Sequence, residues 1–112
     1  MTATALLVLI AGAMIGVWLV YVAVRQHKSS PRLGLLHAAL VLSGTALLLT
    51  TILTGPASKL SNFSALFLLL AVIGGGLVFA LREPGKPPSM PVVTAHAIFG
   101  LIGIAILAIK VL

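Results

Sequence analysis

The sequence predicts an all-α integral membrane protein, a four-helix bundle made of two tandem helix hairpins. Of its 112 residues, 61% are hydrophobic and one is acidic, whereas a soluble domain carries about 25% charged residues. Four uncharged runs are each near the roughly 20 residues that span a bilayer as a helix. These runs take up almost the whole chain, so we expect a single transmembrane domain over residues 1–112.

The four helices can be placed from the apolar runs and the breakers between them. The first covers about residues 3–25 and is too long for a signal-peptide core, so we expect it to be retained. The second covers about 33–54 and ends at the breaker pair Gly55-Pro56. The third covers about 60–82 and precedes a proline-rich loop. The fourth covers about 91–111, since Pro91 is tolerated in a first turn.

The two halves of the chain look duplicated. His37 and His96 each open the same pattern, His-Ala, five residues, Gly, one residue, Ala. Tandem hairpins give both copies the same orientation, so the second and fourth helices run parallel. We therefore expect His37 and His96 at a similar depth on the same side of the membrane.

A histidine inside an apolar helix is costly because its ring nitrogens need polar partners. The matched pair predicts one haem iron held between the imidazoles of His37 and His96. The chain has no Cys, which excludes thiolate ligands and covalent haem attachment, so the expected cofactor is haem b. The second nitrogen of each ring needs an acceptor, for which the carbonyls of Leu33 and Val92, one turn back, are the nearest candidates. Iron with two such ligands suits electron transfer better than oxygen activation.

The histidines are also compatible with roles that need no metal. A buried histidine often forms a hydrogen bond between helices, and a pair can form a proton or substrate relay. His27 lies in a polar, basic connector. We expect His27 to be solvated rather than to act as a ligand.

Glycines accompany the two histidines. Gly44, Gly100 and Gly103 share their helix faces, and Gly74–Gly76 in the third helix lie at a comparable level. A flat porphyrin fits between helices only where side chains are absent, so these glycines predict a slot. Close approach of the helices explains them equally well, as it does for the Gly12-x-x-x-Gly16 motif of the first helix.

The basic residues predict the topology. Five of them lie in the first and third connectors, Arg25, Lys28, Arg32, Arg82 and Lys86, against Lys59 and Lys110 on the opposite side. By the positive-inside rule we expect a multi-pass protein of a bacterial-type inner (plasma) membrane with both termini outside the cytoplasm. Arg25, Arg32 and Arg82 are also candidate partners for the haem carboxylates, which are costly to bury unpaired. Topology alone is the simpler explanation of these charges.

The arrangement of His37, Gly44, His96 and Gly103 in a four-helix chain resembles the cytochrome b561 type of membrane cytochrome and its bacterial relatives. The resemblance implies haem b between paired helices and electron exchange with quinols or small reductants. Such proteins usually carry four haem-ligating histidines and two haems, so the expectation here is a single-haem variant. It implies an electron-transfer protein or redox subunit rather than a stand-alone catalyst. Expected partners are membrane lipid, a quinone or quinol, and a larger redox complex or a second copy, with no nucleic acid.

Two other functions are open. The chain resembles small multidrug-resistance transporters in length, but those depend on a carboxylate within the membrane. The only acid here, Glu83, lies in a loop beside Pro84, so a transporter would lack its coupling residue. The third possibility is an accessory subunit of a larger membrane complex without haem.

Overall fold

The computed structural model describes residues 1–28 and 30–112. Within these residues it contains no strand and four α-helices, which are α1 Thr2–Gln26, α2 Pro31–Thr54, α3 Lys59–Ala80 and α4 Met90–Val111. Each helix is long and apolar enough to cross a membrane. The predicted all-α four-helix fold is confirmed, and the helices make the chain a multi-pass membrane protein.

The helix starts follow from the local sequence. Ser30 caps α2, because its hydroxyl accepts a hydrogen bond from the backbone N–H of Leu33 at 3.4 Å. Pro31 occupies the first turn, where its missing N–H is no loss. Ser58 caps α3 in the same way, accepting from the N–H of Ser61 at 3.3 Å. The first two connectors therefore supply side-chain caps for α2 and α3, whereas Ser89 before α4 forms no such hydrogen bond.

The third helix is shorter than its apolar pattern predicts. The sequence predicts a helix to about residue 82, whereas α3 ends at Ala80. Pro84 explains the difference, because a proline ring clashes with the carbonyl four residues earlier, which here belongs to Ala80. Arg82 consequently lies in the connector, beyond the end of the helix.

The helices form a square bundle of two hairpins. α1 packs mainly against α2 and α3 mainly against α4, while the hairpins meet more lightly through α1 with α4 and α2 with α3. Consequently α1 lies diagonally opposite α3, and α2 opposite α4. The Cα atoms extend over 46 × 19 × 19 Å, and the long dimension is close to the roughly 40–45 Å of a bilayer with its headgroups. The two tandem hairpins are those that the sequence predicts.

A constant offset of 59 residues relates the two hairpins. It pairs His37 with His96 and Gly44 with Gly103. The contacts repeat with the same offset, since the open face of Gly44 receives Leu9 and that of Gly103 receives Leu68. The bundle therefore has an approximate two-fold repeat, with α2 and α4 as equivalent, parallel helices.

The apolar core lies in one half of the bundle. The buried cluster is drawn from the first halves of α1 and α3 and the second halves of α2 and α4, and comprises Ala5, Leu6, Leu9, Leu48, Ala65, Leu68 and Leu107. All of these residues are at the end away from the two basic connectors. The histidines occupy the other half, where both rings are only partly buried. The largest buried cluster thus holds one end of the bundle, whereas the basic end contains fewer buried residues, among them Val22, Ala23 and Val93.

Candidate functional site

Two imidazole rings meet in the basic half of the bundle. The ring centroids of His37 and His96 are 5.9 Å apart, and the ring planes are at 86° to each other. The rings come from α2 and α4, the two diagonally opposite helices. The approximate two-fold repeat therefore brings its two histidines together rather than placing them on separate lipid-facing surfaces.

Each ring is held by a backbone carbonyl of its own hairpin. Nδ1 of His37 lies 2.7 Å from the carbonyl oxygen of Gly12, and Nδ1 of His96 lies 2.6 Å from that of Ala71. A carbonyl can only accept, so Nδ1–H is the donor in both rings. In the neutral imidazole this leaves Nε2 with a free lone pair. Both histidines are thereby set in the tautomer that binds metal through Nε2.

The acceptors predicted for the two rings are wrong. The carbonyls of Leu33 and Val92 lie one turn back in the same helices, but the rings bond instead to α1 and α3. A helical side chain points outward from its own helix axis, so a carbonyl on the neighbouring helix is in better reach. Such a hydrogen bond requires the backbone of the neighbouring helix to approach the ring closely, which favours small residues in that helix beside the ring.

Glycines of the neighbouring helices receive the two rings. A Cβ atom at Gly16 would lie 2.9 Å from Cε1 of His37, and one at Gly75 would lie 3.0 Å from Cε1 of His96. The 59-residue offset relates these two contacts as well. The pattern Gly12-x-x-x-Gly16 is thus part of the site, although its sequence alone indicates a helix-packing motif. The repeat was the signal that could have found it, since Gly16 aligns with Gly75 whenever His37 is aligned with His96.

The Nε2 atoms are accessible. Among residues 1–28 and 30–112, no group forms a hydrogen bond with Nε2 of either histidine, and neither nitrogen is fully buried. Both nitrogens are therefore open to a ligand. The pair therefore offers two unused electron-pair donors on neighbouring rings.

The predicted glycine slot is only partly beside the rings. Gly44 and Gly103 lie two turns deeper, and Leu9 and Leu68 fill their open faces. These two glycines serve close approach within each hairpin, which is the alternative that the sequence leaves open. Gly100 is one turn below His96, where an added Cβ would make only an ordinary contact with Ala71 at 3.7 Å.

The three arginines predicted to pair with carboxylates lie at the basic end of the bundle. Arg25 and Arg32 are exposed, and Arg82 is half-buried with its guanidinium 5.1 Å from the centre of the Phe79 ring. Lys86 forms an ion pair with Glu83 at 2.9 Å. The arginines share an end with the histidines, and Arg82 alone among them packs on the bundle.

The two imidazole nitrogens suit a metal whose other ligands come from a bound cofactor rather than from the protein. Among the described residues there is no cluster of three or more His, Cys, Asp or Glu side chains. A bare zinc ion needs about four ligands at roughly 2 Å, which two imidazoles do not supply. Two imidazoles bound at about that distance on opposite sides of one ion would hold their centroids roughly 6 Å apart. The 5.9 Å between the two ring centroids is therefore close to the separation at which His37 and His96 would hold one ion between them.

Fold and site together define a multi-pass membrane protein with a paired-histidine centre. Comparisons with protein-family models, with curated proteins and with solved structures found no match.

Proposed function

We propose that this chain is a membrane b-type cytochrome that binds one haem b between His37 and His96 and takes part in electron transfer. The observation that carries the proposal is the pair of rings 5.9 Å apart, each with Nδ1–H committed to a backbone carbonyl. A porphyrin supplies four equatorial nitrogens, so two imidazoles are all that the protein must add. The proposal places the chain beside cytochromes of the b561 type as a single-haem variant.

The chain's own residues supply orientation and surroundings. The carbonyls of Gly12 and Ala71 fix the orientation of the two rings. Gly16 and Gly75 give the rings room against α1 and α3. A haem with two imidazole ligands exchanges single electrons and has no open position for oxygen. These features favour an electron carrier over an oxygen-activating enzyme.

The position of the histidines suggests the kind of electron partner. Both are within about two turns of the helix ends next to the basic connectors, by their distance along α2 and α4. One redox centre so close to one surface does not reach across a hydrocarbon layer about 30 Å thick. We therefore propose electron exchange with a membrane quinol or with a redox-active partner subunit on that side.

An absorption spectrum of the purified protein tests the proposal. We expect a coloured protein with a six-coordinate, low-spin b-type spectrum and one extractable haem per chain. Reduction by a quinol analogue would support the quinol route, and copurification with a redox complex would support the partner route. A colourless protein from haem-replete cells would contradict the haem proposal altogether.

We also propose that the basic connectors face the cytoplasm. Since the sequence has no Cys, single substitutions give unambiguous labelling. A membrane-impermeant thiol reagent should label Lys86→Cys in inverted vesicles and not in intact cells. Lys59→Cys, at the first residue of α3 and the opposite end of the bundle, is the matched control and should show the reverse. The opposite labelling of both variants would invert the topology.

A further inference from the structure

A cleft opens at the basic end where α2 meets α3. It has a volume of about 470 Å³ and is lined by Pro31, Phe79, Arg82, Pro84 and Gly85. This is within the roughly 300–1,000 Å³ of small-molecule sites. The cleft lies between the start of α2 and the end of α3. These two helices form one of the two lighter contacts between the hairpins, called here the α2–α3 seam, and α1 with α4 forms the opposite seam.

The cleft carries a positive charge that the protein does not neutralise. Arg82 lies over the Phe79 ring at 5.1 Å and is half-buried. The only acidic side chain in the sequence, Glu83, pairs with Lys86 at 2.9 Å. With a formal net charge of +6, the chain has no second carboxylate side chain to offer. The chemical complement of this cleft is an anion, and a planar guanidinium suits a phosphate.

Two glycines lie next to the cleft, on its membrane-interior side. Gly34 is one turn below Pro31 on α2, and Gly76 is one turn below Phe79 on α3, so each glycine lies on the cleft side of its helix. A Cβ atom at Gly34 or Gly76 would meet nothing within 4 Å, so no side chain of the described residues covers either helix face there. A charged cleft above two uncovered helix faces matches an amphiphile with an anionic head and a hydrocarbon chain.

The opposite seam lacks these features. By the 59-residue offset, Gly76 of α3 corresponds to Val17 of α1, and Gly34 of α2 corresponds to Val93 of α4. Arg82 corresponds to Ala23, which is buried. The glycines and the arginine therefore break the repeat at one seam only. Helix packing common to both seams does not account for them.

From this we infer that the α2–α3 cleft binds one anionic phospholipid, with its phosphate on the Arg82 guanidinium and an acyl chain along Gly34 and Gly76. The site is separate from the histidine pair, and the inference does not rest on the binding of haem. It gives the chain one specific lipid site on an otherwise generally basic surface.

Lipid retention measured by native mass spectrometry tests the site. The protein is taken from bilayers that contain phosphatidylglycerol and phosphatidylcholine. We expect one phosphatidylglycerol to be retained per chain in preference to phosphatidylcholine. Arg82→Gln should weaken retention by more than about fivefold, which is the general attraction of one arginine to an anionic surface. Arg25→Gln, an exposed arginine at the same end, is the matched control and should retain the lipid.

A second pair of variants tests the position of the acyl chain without changing the charge of the protein. Gly76→Leu should exclude the acyl chain, whereas Val17→Leu, at the equivalent position in α1, should not. Equal losses in Arg82→Gln and Arg25→Gln would show general surface attraction and overturn the inference. Haem content is measured in parallel. If Arg82→Gln releases haem and keeps the lipid, Arg82 pairs with the haem carboxylates and the lipid inference is wrong.

Discussion

Replacing either His37 or His96 with alanine should abolish the low-spin haem spectrum. Each ring supplies one of only two protein ligands in the proposed site, and no described neighbour can substitute for it. Changes to groups that merely support a metal ligand already cost roughly 10–100-fold in affinity. Loss of the ligand itself should lower haem content by more than about tenfold. The measurement is the haem-to-protein ratio, together with the spectrum of any haem that remains.

His27→Ala is the matched control for these variants. His27 is exposed just after the end of α1, so its loss should leave both haem content and spectrum unchanged. A low-spin spectrum that persists in both His37→Ala and His96→Ala would place the iron elsewhere. A spectrum lost equally in His27→Ala would indicate that the alanine variants act through assembly rather than ligation.

The glycine beside each ring offers a milder version of the same experiment. Gly75→Ala introduces a Cβ atom 3.0 Å from Cε1 of His96, which is closer than such contacts normally are. The ring must tilt, and the Nδ1 bond to Ala71 must lengthen. Gly16→Ala should act in the same way on His37. A shifted spectrum with haem retained would show that these glycines position the ligands.

The sequence was sufficient for the helices and for the pairing of the histidines. Apolar runs of bilayer length leave few alternatives to four helices, and the repeated His-Ala pattern by itself relates His37 to His96. Tandem hairpins then place both residues at one level. This part of the site depends on spacing along the chain, which a sequence records directly.

The hydrogen-bond partners of the two imidazole rings could not be predicted from spacing along the sequence. Which carbonyl meets Nδ1 depends on the rotation and axial register of one helix against its neighbour, and each residue step turns the helix face by about 100°. Gly44 and Gly103 show the same limit. They share a face with the histidines and pack on the same neighbouring helices, but two turns deeper those helices present the side chains of Leu9 and Leu68.

One half of the bundle mainly stabilises the fold, and the other half contains the histidine pair. Leu9, Leu48 and Leu107 are fully buried in the half away from the basic connectors. Ser64 joins them and donates a hydrogen bond to the carbonyl of Gly103 at 2.7 Å. A firmly packed end holds the helices in register, so the opposite end can keep accessible ring nitrogens. Substitutions at the packed end should therefore change stability first.

The sharpest such substitution is Gly44→Ala. The added Cβ would lie 2.6 Å from Cγ of Leu9 and 3.3 Å from the backbone oxygen of Ala5, so either the Leu9 side chain must move or α1 and α2 must separate. Overpacking of this kind costs about 1–3 kcal/mol. We expect a lower midpoint of thermal unfolding in detergent, while the arrangement of His37 and His96 in the other half of the bundle is unchanged. Gly34→Ala is the matched control in the same helix, since a Cβ there meets nothing within 4 Å.

A double-mutant cycle with Leu9→Ala identifies the cause. Leu9→Ala alone should destabilise by about 2–5 kcal/mol through the cavity it leaves. In the double variant the methyl group of Gly44→Ala enters that cavity, so the two losses should sum to more than the observed one. The repeat predicts the same coupling between Gly103→Ala and Leu68→Ala, where the added Cβ would lie 2.8 Å from Cγ of Leu68. If Gly44→Ala is as harmless as Gly34→Ala, α1 and α2 do not pack in this register, and the carbonyl of Gly12 would no longer be placed to hold His37.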